Sequence, residues 1–297
     1  MISNFIVLVI FFGVLALWLY IGYDTKVKPH IDRRAQARMP FGWENILLRK
    51  VSFYTQLSSN DKVRFEQDVI QFLSQVKITG VRCEVNLEDR LLIASSGVIP
   101  LFGFPACTYK HLKEVILYPS SFNRRFQLND PDEQITGLVG TGTMYGKMIL
   151  SKPALHEGFN IGSDKQNVGI HEFIHLFDME NGFIDGVPPG FEEKAFALPW
   201  LQFVHTKIKE IADEESDIRV YGSTSAIEFF AVVGEYFFER PDLLKRKHPA
   251  LYKALVKTFN QDTAEFLSDN FTIEDIGRND PCLCGSGLKY KLCCWVD

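Results

Sequence analysis

The chain has 297 residues, of which 46% are hydrophobic and 23% charged, and its formal net charge is −5. This profile is that of a globular protein, and it excludes an intrinsically disordered, collagen-like or coiled-coil chain. The negative balance supplies no bulk basic charge for nucleic acid, so no DNA partner is expected. The length allows one large or two modest domains.

An apolar run of 19 residues without a charge extends from Phe5 to Tyr23. At 1.5 Å per residue a helix of this length spans about 28 Å, enough to cross a bilayer core. No Lys or Arg precedes the run and aromatic residues gather at its far end, which favours a retained anchor over a cleaved signal peptide or a buried core helix. The sequence therefore predicts a transmembrane anchor at residues 1–23.

Basic residues outnumber acidic ones in residues 24–41, which are interpreted as a juxtamembrane linker. The positive-inside rule places this side of the anchor, and with it the bulk of the chain, in the cytoplasm. The expected localisation is the cell (inner) membrane, as a single-pass protein whose main domain is cytoplasmic.

Helix and strand patterns follow one another after the linker. In chain order they are an amphipathic helix near residues 61–76, a strand at Glu114–Tyr118, a turn and strand within residues 136–151, helices near residues 164–180, 190–215 and 225–239, and final helices to about residue 268. Because strands precede a mostly helical second half, the predicted class is α+β.

His171-Glu172-Phe173-Ile174-His175 has the pattern H-E-x-x-H on one of these predicted helices. Positions i and i+4 share a helix face, so both imidazoles can bind one zinc ion. Glu172 projects beside that ion and can accept a proton from water. A chance match is the alternative, but the apolar flanks would bury the histidines, and a buried His pair without a ligand is costly. The motif therefore predicts a zinc site.

A third protein ligand is expected among the acidic residues that follow the motif. Glu228 and Glu235 lie seven residues apart on one face of an apolar helix, where a carboxylate needs a partner or a metal. Ser225 to Glu228 also fits a capping box, so spacing alone leaves the role of Glu228 open. Glu235 either orients a ligand imidazole or pairs with a buried Arg or His. Asp178 either orients an imidazole or is an ordinary polar residue near a helix end.

Two stretches resemble the Mlc titration factor A family of zinc peptidases, namely NVGIHEFIHLFDMENG (167–182) and YGSTSAIEFFAVVGEYFFERP (221–241). Upstream, ITGLVGTGTMYGKMILS (135–151) is similar to the strand that precedes the family's metal helix. A more distant likeness is to the catalytic domain of anthrax lethal factor, which shares a Tyr seven residues before the third-ligand Glu. The resemblance implies a zincin-like metallopeptidase domain, helix-rich with a small sheet, which we place at residues 42–270.

The resemblance also implies a role for each site residue. It implies that His171, His175 and Glu228 bind a catalytic zinc ion, with Glu172 as the general base. Tyr221 would stabilise the oxyanion, and a half-buried loop aromatic is the alternative for it.

Further implications of the resemblance concern the substrate. It implies that Lys147–Ser151 is an edge strand that pairs with an extended peptide, although an ordinary core strand is the alternative. The predicted function is hydrolysis of peptide bonds by zinc-activated water, with a peptide or protein as substrate. The alternatives are a zincin-scaffold protein that sequesters a transcriptional or metabolic regulator with little catalysis, and a zinc hydrolase of non-peptide bonds.

Four cysteines, Cys282, Cys284, Cys293 and Cys294, form the pattern C-x-C-x₈-C-C near the C-terminus. Four thiolates at this spacing fill every position of a structural zinc site, and disulfides are disfavoured in the cytoplasm. The segment at residues 277–297 is similar to the SecA C-terminal (SEC-C) zinc motif, which implies docking to a protein or ribosome partner. The sequence therefore predicts two Zn²⁺ ions, one catalytic and one structural.

Overall fold

A computed structural model describes residues 39–105, 107–162, 164–189, 191 and 194–267. Within these residues no helix has both the length and the apolar character that a membrane crossing requires. The predicted anchor, most of the predicted linker and the predicted Cys₄ motif at residues 277–297 lie outside the described residues.

Four short strands in the described part of the chain form one mixed sheet in the order β1-β2-β4-β3. The strands are β1 (Lys77–Gly80), β2 (Glu114–Tyr118), β3 (Gly137–Val139) and β4 (Lys147–Ser151). β1, β2 and β4 are parallel, and β3 pairs with β4 in the antiparallel sense. The predicted strand at Glu114–Tyr118 is confirmed. The expectation that Lys147–Ser151 is the edge strand is wrong, because β4 pairs with β2 on one side and β3 on the other.

Eleven α-helices lie in the described part of the chain. They are α1 (Trp43–Lys50), α2 (Ser52–Gln56), α3 (Ser59–Gln75), α4 (Leu87–Leu101), α5 (Lys152–Asn160), α6 (Val168–Asp178), α7 (Lys194–Ala212), α8 (Ala226–Glu239), α9 (Pro241–Lys247), α10 (Pro249–Phe259) and α11 (Thr263–Leu267). The helices predicted near residues 61–76, 164–180, 190–215 and 225–239 correspond to α3, α6, α7 and α8. The fold is therefore a helix-rich α+β domain with a small mixed sheet, as the sequence predicted.

The centre of the domain is the packing of α6 against α8. Every residue from Gly169 to Asp178 in α6 and from Phe229 to Phe238 in α8 is buried. Gly234 allows the two helices to approach closely, since a Cβ atom there would lie 2.3 Å from Cδ1 of Ile174. Apolar burial on this scale is the dominant favourable term in folding, and it fixes the two helices that carry the candidate site.

Both helices begin at a side-chain cap. The Asn167 side chain accepts a hydrogen bond from the N–H of Ile170 at 3.1 Å, which starts α6. The hydroxyl of Ser225 accepts one from the N–H of Glu228 at 3.1 Å, which starts α8. Such caps satisfy backbone donors that a helix leaves unpaired at its first turn. They set where His171 and Glu228 fall along their helices.

Candidate metal centre

Three side chains from α6 and α8 converge on one point. Nε2 of His171 lies 3.2 Å from Nε2 of His175 and 3.1 Å from Oε2 of Glu228. Nε2 of His175 lies 3.6 Å from the same carboxylate oxygen. The sequence left two possibilities for Glu228. In the structure Ser225 caps the helix through the Glu228 backbone, while the Glu228 carboxylate faces the two histidines.

These separations fit a tetrahedral zinc ion. Zinc bonds of about 2.0–2.1 Å at tetrahedral angles place ligand atoms about 3.3 to 3.4 Å apart, and the three observed distances lie on either side of that value. Two imidazole nitrogens and one carboxylate oxygen are also a donor set that zinc prefers in catalytic sites. His171, His175 and Glu228 therefore suit a zinc ion in both geometry and chemistry.

The electrostatics of the cluster favour a cation. Burial disfavours a protonated His171, but the charges of Glu235 and Glu228 outweigh burial and raise the pKa of His171 to about 10. Burial likewise opposes ionisation of Glu228, yet the two histidines hold the pKa of its carboxyl well below the usual range. The surrounding groups thus stabilise positive charge where the three donors meet.

Glu235 lies behind His171, on the side away from the convergence point. Its Oε1 is 2.7 Å from Nδ1 of His171, and its Oε2 accepts the backbone N–H of Asn167 at 2.6 Å. The guanidinium of Arg219 also donates to Oε1. A carboxylate on Nδ1 fixes the proton there, so that Nε2 presents its lone pair. Glu235 therefore contacts both an imidazole and an arginine, the two kinds of partner between which the sequence left its role open.

Glu172 is buried against the edge strand of the sheet. A Cβ atom on Gly137 would lie 2.5 Å from Oε1 of Glu172 and 2.6 Å from its Cγ, so a side chain at this position of β3 would displace the Glu172 carboxylate. Burial raises the pKa of Glu172, and the nearby His175 and His171 offset part of that increase. A carboxylate with a raised pKa suits proton transfer near neutral pH.

Tyr221 lies in a 3₁₀ turn, Val220–Ser223, immediately before α8. Its side chain is 49% exposed, and its ring centroid is 5.9 Å from that of His171. Burial of the hydroxyl and the charge of Glu228 raise the pKa of Tyr221 to about 12, so the hydroxyl keeps its proton and remains a donor. The turn therefore presents a hydrogen-bond donor beside His171 and Glu228.

Asp178 lies at the end of α6, fully buried. Its Oδ2 accepts the N–H of Gly186 at 2.8 Å, and its Oδ1 has no hydrogen-bond partner among the described residues. Burial raises the pKa of this carboxyl to about 7. The structure thus attaches Asp178 to the loop after α6, and no hydrogen bond within the described residues joins it to the imidazole of His175.

Sequence reasoning missed two residues of this site. Arg219 reaches Glu235 from the segment before Tyr221, and Gly137 reaches Glu172 from a strand more than thirty residues earlier in the chain. The sequence held only weak signals for them: a buried carboxylate that needed a cation, and a glycine-rich stretch before the metal helix.

A helix-rich α+β domain, with two histidines on one helix and a carboxylate on a second, is the arrangement of a metallopeptidase-like protein. Residues 27–260 match the family described as Glucose-regulated metallo-peptidase M90, and residues 278–295 match the SEC-C motif. The chain therefore belongs to the M90 family and ends in a SEC-C motif.

Three relatives agree with this assignment. The chain is 29% identical over 272 residues to an uncharacterised protein of Synechocystis sp., covering 87% of this chain and 97% of the relative. It is 27% identical over 210 residues to Mlc titration factor A of Serratia proteamaculans, covering 65% and 76%. With Mlc titration factor A of Klebsiella pneumoniae (strain 342) the identity is 25% over 256 residues, covering 80% and 92%. The family resemblance drawn from the sequence is confirmed.

Proposed function

We propose that this chain is a zinc-dependent peptidase. The observation that carries the proposal is the convergence of Nε2 of His171, Nε2 of His175 and Oε2 of Glu228 at separations of 3.1 to 3.6 Å, with the buried Glu172 beside them. A zinc ion bound there would act as a Lewis acid toward a scissile carbonyl and would acidify water.

The remaining chemistry belongs to side chains of this chain. Glu172 accepts a proton from the attacking water on its carboxylate and passes it to the leaving amine. The Tyr221 hydroxyl donates a hydrogen bond to the oxygen on which negative charge develops, where a preorganised donor is worth most. Glu235 holds the proton of His171 on Nδ1, which keeps the imidazole in its metal-binding tautomer.

The edge strand β3 supports a peptide as substrate. One side of β3 pairs with β4, and an extended peptide can add to the other side as a further strand. Because the Glu172 side chain packs on Gly137 of this strand, a peptide aligned on β3 passes next to the proposed general base.

Cleavage of a mixed peptide library tests this function. Purified full-length protein is compared with Glu172→Gln and with Glu210→Gln, a matched control on α7 that pairs with Lys207. We expect Glu172→Gln to lose about 10²- to 10⁴-fold in rate, the range for a general base, and Glu210→Gln to keep full activity. Undiminished cleavage by Glu172→Gln would contradict the proposal.

A binding protein is the second candidate, because several relatives are named as titration factors. Such a protein would hold a regulator on the same scaffold with little catalysis. Absence of cleavage by the wild type, with a partner captured equally by the wild type and Glu172→Gln, would favour this candidate over the peptidase.

We also propose the functions that the sequence predicts for residues 1–23 and for the four cysteines near the C-terminus. Residues 1–23 would anchor the protein in the inner membrane with the M90 domain in the cytoplasm, and the four cysteines would bind a second, structural zinc ion and a protein or ribosome partner. Fractionation of the full-length protein tests the anchor, and recovery wholly in the soluble fraction would contradict it. Loss of one zinc equivalent in Cys293→Ser tests the second site, and an unchanged zinc content would contradict it.

A further inference from the structure

A cavity of about 420 Å³ opens at the N-terminal end of α6, where the last turn of α8 meets the start of α9. Its size is in the range of small-molecule sites. None of the three proposed metal ligands lines it, so it is distinct from the metal centre. Its wall includes the rings of Phe53 and Phe238, with Gln56, Glu239, Arg240 and Asp242 as polar residues.

Glu239 stands out among these polar residues. Its Oε2 is buried and has no hydrogen-bond partner in the described part of the chain. Oε1 of Gln56 is also buried and also has no hydrogen-bond partner there. Burial, with the nearby carboxylates of Glu235 and Asp164, raises the pKa of Glu239 well above its usual range. Two oxygen atoms of the lining residues, Oε2 of Glu239 and Oε1 of Gln56, are therefore without a donor among the described residues. The carboxylates of Glu235 and Asp164 place negative charge near Glu239.

We propose that this cavity binds a small molecule that carries a protonated amino group on an apolar body. The carboxyl groups of Glu239 and Asp242 line the wall beside the single guanidinium of Arg240. A bound ammonium group would replace the proton that Glu239 retains, and that proton would be released to solvent. An ammonium group provides three donors and no acceptor, which is what the Glu239 and Gln56 oxygens lack. Rotation about the terminal torsion of Glu239, which is broad for a carboxylate, turns either oxygen toward an occupant. The phenylalanine rings receive the apolar body.

The cavity is also connected by hydrogen bonds to the candidate metal centre. Asn167 lines the cavity and caps α6, and its backbone N–H donates to Glu235 at 2.6 Å. Glu235 in turn holds Nδ1 of His171 at 2.7 Å. An occupant would thus lie against a residue two hydrogen bonds away from a proposed metal ligand, although its binding does not depend on peptidase activity.

Isothermal titration calorimetry on the full-length protein tests the site, with n-hexylammonium as the probe. Hexan-1-ol and hexanoate are the matched neutral and anionic probes. We expect hexylammonium to bind at least about tenfold more tightly than either, since a hydrogen bond to a charged group is worth about that factor. Glu239→Gln should weaken hexylammonium binding about tenfold, while Glu210→Gln should leave it unchanged.

Two further variants keep the result interpretable. Asp242→Asn removes the other carboxylate of the wall and should also weaken binding, and thermal melting of each variant verifies that it is folded. His175→Ala should keep full binding, because the probe does not use the metal centre. Equal binding of hexan-1-ol, or hexylammonium binding that survives both Glu239→Gln and Asp242→Asn, would overturn the proposal. Since cleavage is not measured, failure here leaves the proposed function standing.

Discussion

Two polar clusters, one partly buried around Asp217 and one at the candidate metal centre, lie close to α8, and they differ in what completes them. Around Asp217, the chain supplies every partner: Lys165, Lys247 and Tyr236 donate to Oδ2 at 3.0, 3.0 and 2.7 Å, and Nε2 of His248 lies 2.8 Å from Oδ1. At the metal centre, two imidazole nitrogens and one carboxylate oxygen face one another at 3.1 to 3.6 Å.

From this contrast we infer that the Asp217 cluster is structural and that the cluster of His171, His175 and Glu228 is functional. Cationic side chains neutralise Asp217, so that cluster can hold α8, α9 and the segment before α6 together without an ion. Three lone pairs directed at one point repel each other unless a proton or a metal ion lies between them, and the raised pKa of His171 reflects this need for positive charge. Charge balance within the chain therefore distinguishes the two clusters better than burial or residue type does.

The largest effect is expected at the metal centre itself. Glu228→Gln should lower zinc affinity on the order of a thousandfold, because a full structural site is worth about 10–16 kcal/mol and one ligand a sizeable share of it. Zinc content after dialysis against a chelator measures this, with Glu210→Gln as the control. An unchanged zinc content would show that the three donors do not form the site.

Loss of the Asp217 charge should instead lower stability. Asp217→Asn is expected to cost about 3 kcal/mol of unfolding free energy at pH 7 and to leave zinc content unchanged. Burial opposes ionisation of Asp217, but His248, Tyr236 and the two lysines hold its pKa well below the usual range. This stability is present above the unfolded-state pKa of about 3.9 and is lost as the pH falls through the lower folded-state pKa.

Urea unfolding at pH 7 and pH 3 measures that pH dependence. The difference between wild type and Asp217→Asn should shrink at the lower pH. A difference that persists undiminished at low pH would show that the cluster stabilises the fold through packing and not through charge.

Glu235 and Glu239 provide a matched pair one turn apart on α8. Glu235→Gln should weaken zinc binding by about 10- to 100-fold, the usual effect of removing the acceptor behind a ligand imidazole. Glu239→Gln should leave zinc affinity unchanged, because Glu239 faces the separate cavity. Equal effects of the two variants on zinc affinity would contradict the separation of the two sites.

Gly137→Ala should slow peptide cleavage about tenfold or more, since misplacing a catalytic group by a fraction of an ångström is costly. The added methyl group would displace Glu172, while zinc affinity should be retained. Gly162→Ala is the control, since its Cβ would meet only Oγ of Ser52 at 3.5 Å. Full activity in Gly137→Ala would show that Glu172 does not depend on the edge strand for its position.

The smallest effect concerns Glu239 and stability. Burial raises the pKa of this carboxyl in the folded state, so the folded protein retains a proton that the unfolded chain releases. Wild-type stability should therefore fall as the pH rises above about 4.3, the unfolded value. Glu239→Gln removes this dependence and should gain stability relative to the wild type as the pH rises above that unfolded value. Parallel stability curves above that pH, measured by urea unfolding, would contradict this account.

Periodicity predicted α3, which has one polar face, and it failed for α4. The helices α6 and α8 are buried to a similar degree, but the H-E-x-x-H motif and the family resemblance marked them. Residues Leu91–Leu101 of α4 are all buried, so no alternation of apolar and polar residues marks the helix. The family resemblance implied that β4 is the edge strand, and β3, which has only three residues, is too short for a strand pattern that could have corrected this expectation.

The residues of the candidate site also differ in how far the sequence alone predicts them. His171, Glu172 and His175 follow from local spacing on one helix. Glu228 needed a family resemblance, since its spacing also fits a cap. Arg219 and Gly137 act through contacts between distant segments, and no single-sequence pattern records such contacts.

The most direct test of the account is to measure zinc content and peptide cleavage together in the wild type, His175→Ala and Cys293→Ser. We predict that His175→Ala loses one zinc ion and cleavage with it, while Cys293→Ser loses the other ion and keeps cleavage. Cleavage that persists in His175→Ala after its metal has been removed would contradict the proposal that this chain is a zinc peptidase.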